Sequence, residues 1–170
     1  CLAIAVNTTR WYRHEDGEVS PAQIERVAQR LAGATAQQLR VVVVHQPLGV
    51  TLPQDASNRL HGRDAAARQW AAAGADLVLG GHIHLPFVQP LHEVIAACPR
   101  PLWGVQAGTA VSSRVRRGAP NSVNVIRCTD RALHGCVVER WDCEAGAAHF
   151  EMASAHTLSL LEPGRADHAA

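Results

Sequence analysis

The chain has 170 residues, is 47% hydrophobic, and carries a net charge of +1 with its ten histidines neutral. That is one-domain length, enough to bury a core, and a charge this small gives no electrostatic basis for binding nucleic acid or an anionic membrane. No window approaches the roughly 18 continuous apolar residues of a membrane-spanning helix, and the first residues read as a strand, not as a signal peptide.

In chain order, Leu2 to Val6 is a run of short apolar residues and predicts a buried strand. Asn7 to Gly17 (NTTRWYRHEDG) is polar and predicts a loop. Ser20-Pro21, followed by Ile24, Val27, Ala28 and Leu31, predicts an amphipathic helix with Ser20 as N-cap and Pro21 at the first helical position. Leu39 to Val44 is β-branched and short, the pattern of a strand buried on both faces. Gln46 to about Arg59 predicts a loop. The alanine-rich stretch from Gly62 to Ala73 predicts a helix closed by Gly74. Ala75 to Leu79 predicts the next buried strand. Helices alternating with buried strands imply an α/β protein with helices covering a sheet. Further strands are expected at Leu102–Ala107, Ser122–Cys128, Gly135–Trp141 and Phe150–Leu161. TDRALH between the second and third of these suits a hairpin loop, and residues 162–170 suit a frayed tail.

All sixteen basic residues are arginine, which we attribute to genomic base composition and not to a nucleic-acid partner. The five cysteines (Cys1, Cys98, Cys128, Cys136, Cys143) form no CxxC pair. An odd number at irregular spacing predicts buried reduced thiols and a cytoplasmic protein. The only methionine is Met152, and the chain starts inside an apolar run (CLAIAVNTT), so a missing N-terminal part is expected.

Three histidines follow buried strands. His45 ends VVVVHQPL, and His82 and His84 lie in LVLGGHIHLP. Ligands bind at the edge where parallel strands end, so all three are expected on one edge. Gly80 and Gly81 would allow backbone angles and close approaches that a Cβ blocks. Neutral imidazole binds zinc, iron, manganese and nickel. Three histidines alone would suit one zinc ion; a two-metal site also needs carboxylates. None stands at a strand end: Asp16, Asp55, Asp64 and Asp76 fall in loops, helices or just before a strand.

VVVVHQPL and LVLGGHIHLP, 37 residues apart at their histidines, resemble the last two metal motifs of the calcineurin-like metallophosphoesterases. QAGTAVSSRVRRGAPNSVNVIRC, Gln106 to Cys128, is similar to the segment that follows Gly-His-x-His in bacterial members. The resemblance spans about Leu2 to Glu151. It implies a four-layer αββα sandwich, two packed sheets with helices outside, with strands from Leu2 to Leu79 in one sheet and those from Leu102 onward forming much of the other. It implies two divalent ions (Mn, Fe or Zn), with His45 and His82 on one and His84 on the other. The family's Asp-x-His, Gly-Asp-x-x-Asp and Gly-Asn-His motifs are not in this sequence, so the remaining ligands and the proton donor are expected upstream of residue 1. Residues 1–161 would be the C-terminal part of one such domain.

The expected function is hydrolysis of a phosphomonoester or phosphodiester, with a small-molecule substrate and neither nucleic acid nor membrane as partner. The chain alone would be inactive or nearly so. The rival reading is a non-catalytic metal-binding module built on the three histidines. Arg10, Arg13, Arg59 and Arg114 are candidate cations near the site, and no substrate-binding residue is assigned.

Overall fold

A computed structural model of the chain describes residues 1–13, 15–35, 37–116, 118–128 and 135–160. It is a mixed α/β structure with two sheets. Five strands form the larger sheet: β1 (Leu2–Ala5), β2 (Arg40–Val43), β3 (Leu77–Gly80), β4 (Phe87–Pro90) and β5 (Trp103–Gln106). Their order is β1-β2-β3-β5-β4, parallel except where β4 runs against β5. Strands β6 (Asn121–Arg127), β7 (Gly135–Cys143) and β8 (Glu151–Ser159) form an antiparallel sheet in that order.

The pleat of β2 explains the layering. Alternate residues point to opposite faces. Val42 and Val44, with Val78 of β3, face helices α1 (Pro21–Ala32) and α2 (Arg63–Ala72) and join Ile24, Val27, Leu31, Ala67 and Trp70 in one core. Val41 and Val43, with Leu77 and Leu79, face the other way and share a second core with Cys136, Val138 and Leu158 of the smaller sheet. Both connecting helices lie on one face because successive parallel strands progress in one direction with crossovers of one hand. No described helix covers the outer face of the smaller sheet, so the fourth layer is not among the described residues.

The helix boundaries follow local chemistry. The side chain of Ser20 accepts from the Gln23 amide, and the Gln23 side chain accepts from the Ser20 amide, a reciprocal cap at the start of α1. Gly74 closes α2 with φ 97°, a left-handed angle suited to glycine.

Besides β1, which is an edge strand with Ala3 and Ala5 exposed and not the buried strand expected, three expectations need correction. The strand predicted at Leu102–Ala107 belongs to the larger sheet, between β3 and β4. Like β2 it is covered on both faces: Leu102 joins the helix-side core and Val105 the core between the sheets. Gly104 makes room for Leu91, whose Cγ would lie 3.2 Å from a Cβ added there. Next to it, β4 was not foreseen. It ends at Pro90, a residue tolerated on an edge strand, and leads into the short helix α3 (Leu91–Val94). The expected loop from Gln46 to Arg59 contains a 3-10 helix at Pro53–Asn58, which buries Asp55.

The third correction concerns the thiols. Cys128 and Cys136 form a disulfide. The register places Arg127 opposite Val137, so the next outward pair is Cys128 and Cys136, with Cα atoms 4.5 Å apart. Linear spacing hides this pairing; the two residues are equidistant from the hairpin centre. The bridge removes the argument from cysteine usage to a cytoplasmic location. Cys1 is exposed, and Cys98 and Cys143 are half-buried free thiols. TDRALH and residues 162–170 lie outside the described residues. No helix among the described residues is long and apolar enough to cross a membrane.

Trp70 is fully buried, and its indole N–H donates to the Ile24 carbonyl at 3.3 Å, tying α2 to α1. Trp70→Ala should therefore cost about 3–5 kcal/mol in urea denaturation. Val94→Ala, at a side chain 54% exposed, should change stability by less than about 0.5 kcal/mol.

Candidate metal centre

The parallel strands β1, β2 and β3 all end at one edge, and their following loops meet there. Pairing between β2 and β3 continues past the strands. The Val44 amide donates to the Leu79 carbonyl at 2.9 Å, and the Gly81 amide to the His45 carbonyl at 2.9 Å. His45 is also held from the β1 side. Its amide donates to the Thr8 hydroxyl at 3.3 Å, and that hydroxyl donates to the fully buried Gln46 side chain at 2.6 Å. Gln46 thus has a definite place beside His45, which its position in the sequence does not suggest.

The turn after β3 differs from expectation in an informative way. Neither Gly80 nor Gly81 takes a positive φ. His82 (71°) and His84 (55°) do. Non-glycine residues in this region carry strain of order 1–3 kcal/mol, and such residues gather at functional sites. Gly80 is needed for a different reason: a Cβ there would lie 2.5 Å from the Gln106 side-chain oxygen. At Gly81 the nearest atom to an added Cβ is 3.8 Å away, so nothing crowds it. The Gln106 side-chain amide donates to the Gly81 carbonyl. The Ile83 amide donates to the same carbonyl at 2.8 Å, and the Ile83 side chain is buried. The two histidines therefore project on either side of a buried isoleucine.

Nδ1 of His82 lies 3.1 Å from Nε2 of His45, with ring centroids 4.9 Å apart. Two nitrogens bound to one ion at about 2.1 Å, at roughly 90–110° to each other, lie about 3.0–3.4 Å apart. The observed pair fits that edge. His84 stands apart from the pair. Its Nδ1 lies 3.1 Å from the Arg114 carbonyl, to which it donates, leaving Nε2 free as a ligand. A carbonyl that fixes the tautomer in this way is the usual support for a metal-binding histidine. Among the described residues, no group of three His, Cys, Asp or Glu side chains is placed to hold one ion. The arrangement is a pair and a single, not a three-histidine cage.

Burial pushes the His82 pKa below the ordinary imidazole value, and the neighbouring His45 ring lowers it further. The Glu15 carbonyl and carboxylate, at the same ring, oppose this. The net direction favours the neutral, ligating form. Glu15 is a carboxylate that the sequence did not single out. Its signal was topological: it lies in the loop after β1, which had to end at the same edge.

Next to Glu15 in sequence, Asp16 accepts from His61 Nε2 at 2.5 Å and from Arg13 at 3.1 Å. Although burial acts to raise it, the His61 hydrogen bond and charge hold the Asp16 carboxyl below its usual range, with Arg13 assisting. Asp55 pairs with Arg116 at 3.0 Å, and the same guanidinium nitrogen donates to the Ile83 carbonyl at 3.2 Å. Asp76 lies at the opposite edge of the sheet, bonded to Arg100 and the Arg40 amide.

Three of the four candidate cations are engaged locally. Arg10 donates to the Asn7 and Thr9 carbonyls and to Gln23, Arg13 pairs with Asp16 and Glu18, and Arg59 donates to the Ala56 carbonyl. Arg114 presents its carbonyl to His84 and leaves its side chain exposed. Comparison with known protein families finds no matching family model, and no curated protein matches the chain.

The lowered His82 pKa has a definite sign for stability. The unfolded chain takes up this proton at higher pH than the folded one, so the stabilisation is present above the ordinary histidine pKa. It is lost as pH falls through that value towards the lower, folded one. In metal-free buffer, the drop in urea midpoint between pH 7 and pH 5 should be smaller for His82→Gln than for the parent. An equal drop in both would show that His82 does not contribute.

Proposed function

We propose that this chain carries the histidine ligands of a metal-dependent phosphoesterase acting on a small phosphomonoester or phosphodiester. The observation that supports this most is the combination of a facing His45–His82 nitrogen pair and a separate His84 whose tautomer is set by a carbonyl. His82 and His84 are both held in a strained conformation at one sheet edge. The ordered resemblance of VVVVHQPL and LVLGGHIHLP to the metallophosphoesterase motifs supplies the reaction class.

His45 Nε2 and His82 Nδ1 would hold one divalent ion, and His84 Nε2 would help hold a second. Manganese, iron and zinc all suit imidazole. When bound, such ions supply Lewis acidity to phosphoryl oxygens and lower the pKa of an attacking water. The chain's own residues contribute orientation. The Arg114 carbonyl aims the His84 ring, the β2–β3 zipper sets the spacing between His45 and His82, and the burial of His82 lowers its pKa and so favours the neutral ring. Carboxylate ligands and a proton donor would complete the site. Glu15, whose carboxylate acts on the His82 ring, is the carboxylate this chain would offer.

Metal binding and hydrolysis separate this reading from its rival. Chelator competition should show zinc or manganese binding that His82→Ala weakens by about 100-fold or more. In the native gene product, manganese-dependent hydrolysis of bis-p-nitrophenyl phosphate should fall comparably in His84→Ala. Binding that depends on the histidines, with no hydrolysis of phosphomonoesters or phosphodiesters, would make the protein a metal-binding module. Binding unaffected by all three alanine substitutions would end the metal reading altogether.

A further inference from the structure

We infer that Arg116 is a positioning residue that, anchored on the buried Asp55, fixes the peptide plane before His84 and so presents His84 for ligation. This rests on the reading of His84 as a ligand. The argument comes from the planes that flank each strained histidine. His82 lies between the plane that carries the Gly81 carbonyl, held by Gln106, and the plane that carries the Ile83 amide, bonded back to that same carbonyl. The torsion φ of His84 is set by the next plane, which carries the Ile83 carbonyl. Arg116 donates to that carbonyl at 3.2 Å.

A single arginine contact would be a loose restraint if its side chain could swing away. Here the same Nη1 also donates to Asp55 Oδ1 at 3.0 Å. Asp55 is 5% exposed and sits in the 3-10 helix, so its carboxylate cannot follow a moving guanidinium. The two hydrogens on one nitrogen thus tie two fixed acceptors together. The segment bearing Arg116 is itself closed. The Ala119 amide donates to the Arg116 carbonyl at 2.9 Å, and the Ser122 amide to the Thr109 carbonyl at 2.8 Å. Two residues earlier, the Arg114 carbonyl accepts from the His84 ring. One segment therefore grips His84 twice, at its ring through main chain and at its backbone through a side chain. The second grip depends on residue identity and can be removed by substitution.

Removing Arg116 alone would leave the buried Asp55 carboxylate unpaired and could unfold the chain. The double substitution Arg116→Met with Asp55→Leu removes both charges together and fills the space. Three measurements decide the matter: cooperative urea unfolding, the short intraresidue amide–Hα contact that a positive φ produces at His84, and zinc affinity by chelator competition. We expect a folded double variant in which His84 loses that contact while His82 keeps it. Zinc affinity at the His84 position should fall about tenfold, with little change at the His45–His82 pair. A folded double variant with unchanged His84 contact and unchanged affinity would overturn the inference. Should the double variant not fold, Arg116→Lys serves instead: its shorter reach keeps a charge near Asp55, and the same His84 contact is read. A parent chain that binds no zinc would sink the ligand reading, leaving the His84 conformation to decide the positioning role alone.

Discussion

Burial of the central strands on both faces is the constraint on which the rest of this structure depends. The four positions from Val41 to Val44 must all be apolar because Val42 and Val44 meet the helices while Val41 and Val43 meet the smaller sheet. A strand so placed cannot end in a charged or flexible segment without exposing its last backbone groups. The chain extends the pairing instead: Val44 to Leu79, then Gly81 to His45. Those added bonds bring the first polar side chains after two adjacent strands within one ring's width of each other. The spacing of the His45–His82 pair is thus a by-product of sheet register, and sheet register is held by the whole core.

His84 is fixed by different means. The chain leaves the sheet at Gly81, and no strand pairing reaches beyond it. What replaces the ladder is a set of single contacts from Gln106, Arg114 and Arg116, each 25 to 33 positions after the residue it bonds. The two strained backbone angles fall at the two histidines because the turn must bury Ile83 while sending its neighbours outward. Glycine would relieve the strain but bring no imidazole. Histidine tolerates the left-handed region better than branched or bulky residues do, so the sequence combines candidate ligand and turn former in one residue type.

The elements that were legible in the sequence share a property: their signal is local. The capped helix at Ser20-Pro21, the Gly74 stop, the valine run and the strand-end histidines are all readable within a dozen residues. What could not be read were the pairings between distant segments. Trp103 to Gln106 has the pattern of a buried strand, but nothing in that pattern says which sheet it joins. Cys128 and Cys136 look irregular in a linear count and become partners only once the hairpin register is known. Asp55, dismissed as a loop carboxylate, became a buried anchor because a 3-10 helix turns it inward. Glu15 escaped notice because it belongs to no motif. The three histidines were legible as candidate ligands, and their supporting contacts were not, since each joins two residues with no sequence relationship.

This division has a consequence for how the proposed centre would respond to change. The His45–His82 pair draws its geometry from β2, β3 and the core on both sides, so perturbing it means perturbing the fold. His84 draws its geometry from one segment between β5 and β6 that contributes little to either core: Ala119 is its one deeply buried apolar residue, while Val111 and Val115 stand exposed. Substitutions in that segment would alter the proposed His84 position while sparing the pair and the fold. A centre of two ions built this way has one position set by the scaffold and one set by an adjustable strap. Variation in chemistry or metal preference would then be expected to arise at the His84 position first.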